Sequence, residues 1–209
     1  MRHGLTANGI NPIKDYGAVV SKRNIAAPTK KNITETVPYM SGFYDFSDIY
    51  DGPHYQQRAV EYMFTICSST SEDMADRAVK VEAWAYGISN DELYDDLYQD
   101  WHFLASTQSV SVAYKGALAA QVTVKLLCHP YRIANAPTRI QIHEGENTVH
   151  NGGRPVLAKV DADSAVTLTI GGESQTVQGE TVTELLVPSG TSIITSTGAC
   201  AVEWTEEVI

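Results

Sequence analysis

The chain has 209 residues, 43% of them hydrophobic and 19% charged, an ordinary balance for a folded protein with its own core. That composition argues against disorder, and the longest apolar runs fall far short of a membrane span. A net charge of −10 makes sequence-specific nucleic-acid binding a poor expectation.

Met1-Arg2-His3-Gly4 leads into no signal-peptide core, so synthesis in a cytoplasm is expected. The charge is uneven. Residues 1–31 hold Arg2, Lys14, Lys22, Arg23, Lys30 and Lys31 against Asp15, whereas residues 143–209 hold ten carboxylates against Arg154 and Lys159. A basic arm on an acidic body suits a head-to-tail contact between copies, and equally a solvated surface with scattered lysines.

In chain order, partial alternation around Ala18 and Val20 predicts a strand over about 17–26, with another near 31–39. Residues 34–49 are crowded with aromatics yet broken by Pro38 and Gly42, which suits a bent or edge strand. The run Tyr50-Asp51-Gly52-Pro53 signals a turn. Over 55–68 the alternation is clean: Val60, Tyr62, Phe64 and Ile66 share one face, and Ala59, Glu61, Thr65 and Cys67 the other.

One helix is expected, over 71–86. Ser69, Thr70 and Ser71 offer N-caps, Glu72 and Asp73 suit the positive end of the dipole, and Gly87 is a natural stop. Met74, Ala78, Val81 and Ala85 recur at helical spacing as one apolar stripe. Strand patterns then return at Leu97–Leu104 and at Val110, Val112 and Tyr114. A hairpin turn at Lys115-Gly116 leads into Val122, Val124, Leu126 and Cys128.

The break at Asn135-Ala136-Pro137 divides the chain into an N-terminal β-rich domain, 1–133, and a C-terminal domain, 134–209. The second holds short apolar groups between Gly-rich turns with no helical period, the pattern of a compact β-sandwich.

A search for chemistry returns little. Cys67, Cys128 and Cys200 are widely spaced in apolar runs and read as small buried hydrophobes. Cys128 and His129 are adjacent on a strand and point to opposite faces, so they form no nucleophile–base pair. His143-Glu144 begins like a zinc-protease motif, but Asn147 stands where the second histidine belongs and Gly145 spoils the helix. His102 and His129 are expected to satisfy local hydrogen bonds. Asp161 and Asp163 near Glu173 suggest calcium only weakly, since acidic turn residues are usually just solvated. Asp95, Asp96 and Asp100 around Trp101 resemble a glycosidase pair, but an acidic loop ahead of a buried tryptophan explains them as well. No catalytic, cofactor or metal site is expected, and no enzyme.

Several segments in order resemble one family. They are Asp15-Tyr16-Gly17, Val37-Pro38-Tyr39, Tyr44-Asp45-Phe46-Ser47, the Tyr62–Ile66 strand and Ala83-Trp84. Cys128-His129-Pro130-Tyr131, then Asn151-Gly152-Gly153 before Arg154-Pro155-Val156, and Thr167-Leu168-Thr169-Ile170-Gly171-Gly172 continue the series. Together they resemble the distal tail proteins (Dit) of long, flexible-tailed bacteriophages and their prophages. Two features depart from the pattern: Thr191 stands where an asparagine is usual, and the second domain has no room for an inserted module.

The resemblance implies a mainly β fold, with a ring-forming β-barrel or sandwich-like belt domain followed by a galectin-like β-sandwich. It implies a structural role at the virion tail tip: a homohexameric ring joining the tail tube to tail-tip or baseplate proteins. Genome DNA would pass through its lumen without sequence-specific contact, and no membrane is involved. Under that reading Tyr39, Phe43, Tyr44 and Phe46 are candidate subunit contacts; the alternative is that they fill the subunit's own core. A competing function is a carbohydrate-binding module for host-surface glycans, with Trp204 as the candidate sugar contact.

Overall fold

The computed structural model describes residues 4–36, 38–39, 41–47 and 53–209. These are mainly β and separate into two compact units, Met1–Arg132 and Ile133–Ile209.

The first unit opens with β1 (Leu5–Ala7), α1 (Pro12–Tyr16) and β2 (Val19–Ile25). The helix α1 corrects the expectation of a single helix. Five residues are too few for an apolar period, and α1 is held by its ends instead. The Asn11 side chain accepts from the amides of Ile13 and Lys14, Pro12 starts the first turn, and Gly17 ends it in the left-handed region at φ 67°.

The expected strands over 31–39 and 34–49 shrink to β3 (Thr34–Glu35) and β4 (Tyr44–Asp45), which pair with each other. Val37, Met40, Asp48, Ile49 and the expected turn at Tyr50-Asp51-Gly52 lie outside the described residues.

In β5 (Arg58–Cys67) the expected parity is observed: Val60, Tyr62, Phe64 and Ile66 are all buried. Burying each such side chain contributes about 1.5–3 kcal/mol. The helix α2 (Ser71–Tyr86) is capped by Thr70, whose hydroxyl accepts from Asp73 N at 3.3 Å. Its stripe of Met74, Ala78, Val81 and Ala85 is buried together with Trp84. The Trp84 ring meets Phe64 edge-on at 5.8 Å, and its Nε1 donates to Ala7 O at 3.1 Å. Next come β6 (Ser89–Asp95), β7 (Trp101–Tyr114) and β8 (Ala119–Cys128). The helix packs against β7 and β8.

These strands form an antiparallel sheet in the order β1-β6-β7-β8-β5-β2. It curls far enough that Arg23 of β2 reaches Asp95 of β6 at 3.1 Å. The inner face holds one core built on Tyr62, Phe64, Phe103, Val122, Val124 and Leu126.

The second unit is entirely β. It takes in β9 (Arg132–Ala134), which begins one residue earlier, β10 (Thr138–Ile142) and β11 (Gly145–Asn151). Two long strands follow, β12 (Val156–Ile170) and β13 (Glu173–Val187), then β14 (Gly190–Ser196), β15 (Cys200–Trp204) and β16 (Glu207–Val208). Strand order is β10-β15-β12-β14-β11, with β13 also paired to β12.

Residues Lys159–Asp161 of β12 pair with β15, whereas Leu168–Ile170 pair with β14. Between them the register shifts, Asp163, Ser164 and Ala165 all face solvent, and Gly179 stands opposite Ala162 at φ 72°. This irregularity lets one strand serve two half-sheets. The core between them is built on Val160, Leu168, Ile170, Val187, Ile194 and Trp204.

Candidate functional site

Beyond β2 and β5 the chain continues as a two-sided excursion. Its root is a ladder: Gln56 N donates to Thr29 O at 2.8 Å, and Lys31 N donates to His54 O at 2.7 Å. Farther out, Phe46 N donates to Ile33 O at 2.7 Å, and Ile33 N donates to Ser47 Oγ at 2.9 Å. Asp45 accepts from Ser47, and those hydrogen bonds hold its carboxyl below the usual carboxylate range.

The four aromatics expected at a subunit contact all lie on this arm. Tyr39 is fully exposed at φ 70°, Phe43 is 61% and Tyr44 52% exposed, and Phe46 is half-buried and stacks on Tyr44 at 6.1 Å. Tyr39, Phe43 and Tyr44 therefore do not fill the subunit's own core. Ile33 adds apolar surface on the same arm. Exposed apolar groups are thus gathered on one segment.

The candidates for chemistry are tied up structurally. The Asp95 carboxylate is fully buried and accepts from Arg23 Nε, Tyr62 Oη and Leu97 N. Asp96 accepts from Gly4 N at 2.6 Å, and Asp100 is exposed. Trp101, expected to be buried, is only half-buried. Cys128 is buried, and burial pushes its thiol up to about 12. Cys67, expected to be buried, is exposed at the C-terminal end of β5, whereas Cys200 is buried.

Asn147 closes the turn between β10 and β11, exchanging hydrogen bonds with the His143 backbone at 3.0 and 2.7 Å. Asp161 pairs with Arg139 at 2.9 Å. Among the described residues, no three of His, Cys, Asp and Glu converge as metal ligands. Trp204 is 2% exposed and presents no ring face to a sugar.

The turn Asn151–Arg154 has a clear structural task. The fully buried Asn151 donates to Arg154 O and Val187 O and accepts from Gly153 N. Gly153 lies against β16, where a Cβ would come within 2.5 Å of Glu207 O. Arg154 then holds Glu207 through Nε at 2.7 Å and through its amide at 2.9 Å.

One group escaped the sequence reading. Arg58 is 2% exposed at the N-terminal end of β5, and Arg132 stacks on Tyr98. Strand parity was the available signal, since Arg58 falls on the face of Val60 and Tyr62.

No protein-family model and no curated protein sequence matches the chain. Among solved structures it is similar to the Dit protein (gp 19.1) of phage SPP1, described as a paradigm of the hub adsorption apparatus in phages infecting Gram-positive bacteria. The two share 10% identity, with 99% of each chain covered and a TM-score of 0.77. At so low an identity the likeness is one of fold. Over nearly its whole length the chain therefore has a Dit-like fold.

Proposed function

We propose that this chain is a structural phage tail component, a distal tail ring protein joining the tail tube to tail-tip or baseplate proteins. The observation that carries the reading is the Dit-like fold over 99% of the chain. In this reading six copies close into a ring at the virion tail tip, the first unit forms the belt, and the galectin-like second unit faces outward. The genome passes through the lumen without base-specific contact. The boundary between the two roles falls near residues 133–134.

The projecting arm supports ring closure. Tyr39, Phe43 and Tyr44 offer exposed aromatic surface, with Phe46 half-buried beside Tyr44, and aromatics are favoured at interface centres. Closure also disposes of open sheet edges, which otherwise invite uncontrolled pairing. The competing carbohydrate-binding reading loses its candidate contact, because Trp204 is buried.

Native mass spectrometry with negative-stain imaging tests the proposal. Six copies of the 22.8 kDa chain predict a species of about 137 kDa with a central hole. Phe43→Asp is expected to abolish that species while leaving the thermal transition unchanged. A chain that stays monomeric even with tube and tip proteins added would overturn the ring.

A further inference from the structure

Two asparagines in the chain stand directly before a glycine, Asn8 and Asn151. Their surroundings are opposite. Asn151 is fully buried, and its side-chain amide is held by Arg154 O, Val187 O and Gly153 N. Asn8 and Gly9 are both exposed at the tip of a tight turn, where the backbones of Ala7 and Ile10 exchange hydrogen bonds at 3.2 and 3.0 Å. Both sit at positive φ, 53° and 73°, the geometry that an Asn-Gly pair favours in a two-residue hairpin turn.

The Asn8 side chain reaches out of this turn. Its Nδ2 donates to Gly87 O, at the end of α2, at 3.2 Å and to Asp91 Oδ2, in β6, at 3.1 Å. Ser89 N donates to the same Asp91 oxygen at 2.7 Å, and the two donors, Ser89 first, hold that carboxyl below the usual carboxylate range. One residue before Asn8, Ala7 O accepts from Trp84 Nε1, and Ala7 pairs with Leu93 of β6. A single exposed amide therefore helps tie β1 to both α2 and β6.

An asparagine before glycine is thermolabile, because the next backbone nitrogen can reach the side-chain carbon within one chain. Nothing lies within 4 Å of where a Gly9 Cβ would stand, and the Gly9 amide donates to no group among the described residues. Attack needs only two exposed side-chain hydrogen bonds to release and the turn to open, which is a local event. At Asn151 it would need a buried amide to leave three partners.

We propose that Asn8 is a site of deamidation by water, and that the change frees β1 from α2 and β6 without unfolding the core. The Gly9 nitrogen bonds to Asn8 Cγ, and the side-chain nitrogen leaves as ammonia with the proton given up by Gly9. Water then opens the succinimide at either carbonyl, leaving aspartate or isoaspartate. In both products a carboxylate stands where a donor faced the Asp91 carboxylate and the Gly87 carbonyl, so acceptor meets acceptor. Isoaspartate also lengthens the main chain by a methylene, and the Ala7–Ile10 pairing loses its register.

The test incubates the full chain in mildly alkaline buffer, with and without urea, and follows both Asn-Gly sites by peptide mass mapping. Native conversion at Asn8 at least about tenfold faster than at Asn151, with the two rates levelled in urea, is the expected result. Equal native rates, or an intact Asn8 after the unfolded chain has converted, would overturn the site. The consequence is read on Asn8→Asp, where a lower urea midpoint and faster exchange of the Trp84 Nε1 proton are expected. Adding Asp91→Asn should restore most of the midpoint, since the new amide can accept from Ser89 and donate to the new carboxylate. An unchanged midpoint in Asn8→Asp, or one that Asp91→Asn fails to recover, would overturn the coupling.

Discussion

Arg23 and Asp95 meet at 3.1 Å although their strands stand near opposite ends of one sheet. No backbone ladder joins β2 to β6 among the described residues, so this ion pair ties the two flanks of the curl. The Tyr62 hydroxyl, from β5, donates to the same carboxylate oxygen at 3.0 Å. Asp95→Ala removes the acceptor of the buried Tyr62 phenol and takes this carboxylate away from the mostly buried Arg23 guanidinium. A loss of about 3–5 kcal/mol is expected, read as a lower urea midpoint. A loss below about 1 kcal/mol would mean that the pair contributes no more than a surface salt bridge.

Alkaline pH should unfold the protein for a specific reason. Burial first, and then the Asp95 charge, raise the Tyr62 phenol well above its usual 10.0, while burial lifts the Cys128 thiol from 9.0 to about 12. In the unfolded chain both groups release protons at lower pH than in the folded one. The unfolded state therefore binds fewer protons in that window, and stability falls as pH rises. The stabilisation is complete below about pH 9 and declines between about pH 9 and 12. Urea midpoints across that range check the slope. Cys128→Val is expected to flatten it, and Cys67→Val to leave it unchanged.

Gly153→Ala places a methyl within 2.7 Å of both Glu207 O and Glu207 N, where backbone rather than a flexible side chain must move. A cost of about 1–3 kcal/mol is expected, with faster hydrogen exchange at the amides of Ala134 and Arg154, which donate to Glu206 O and Glu207 O. Gly171→Ala is the contrasting case: its Cβ meets nothing, and the strain comes only from φ 60°.

Thiol labelling separates the three cysteines. Cys67 is exposed, whereas Cys128 and Cys200 are buried with their thiols shifted up by burial. A maleimide should modify one site rapidly in the native protein and the other two only on unfolding. Mass mapping of a second rapid site to Cys128 would show that the first core opens locally.

Much of this was legible because it is local. The β5 alternation and the α2 stripe each repeat often enough to announce their period, and Thr70 and Gly87 mark the helix ends. The helix α1 has no period to show, yet Asn11, Pro12 and Gly17 were its visible marks. Over the aromatic arm the extent of the strands was misjudged: β-favouring aromatics suggested long strands, and only the two-residue β3 and β4 form there. The long strands β12 and β13 looked like separate short ones, since the outward-facing run at Asp163–Ala165 breaks their alternation. Cys67 was misjudged by composition although parity placed it with Ala59 on the outer face. The meeting of Arg23 with Asp95 depends on sheet curl, which no pattern within one strand encodes.

The short pairing of β9 with β16 has a topological consequence. Ala134 N donates to Glu206 O at 2.9 Å, so the chain enters the second unit one strand spacing, about 5 Å, from where it leaves. The unit is a closed lobe whose covalent order is separable from its packing. A circular permutant of this unit with residues 133 and 209 joined by a flexible linker and the chain reopened at Gly171-Gly172 would keep β16 and the unit's ladders and open only an exposed two-glycine turn.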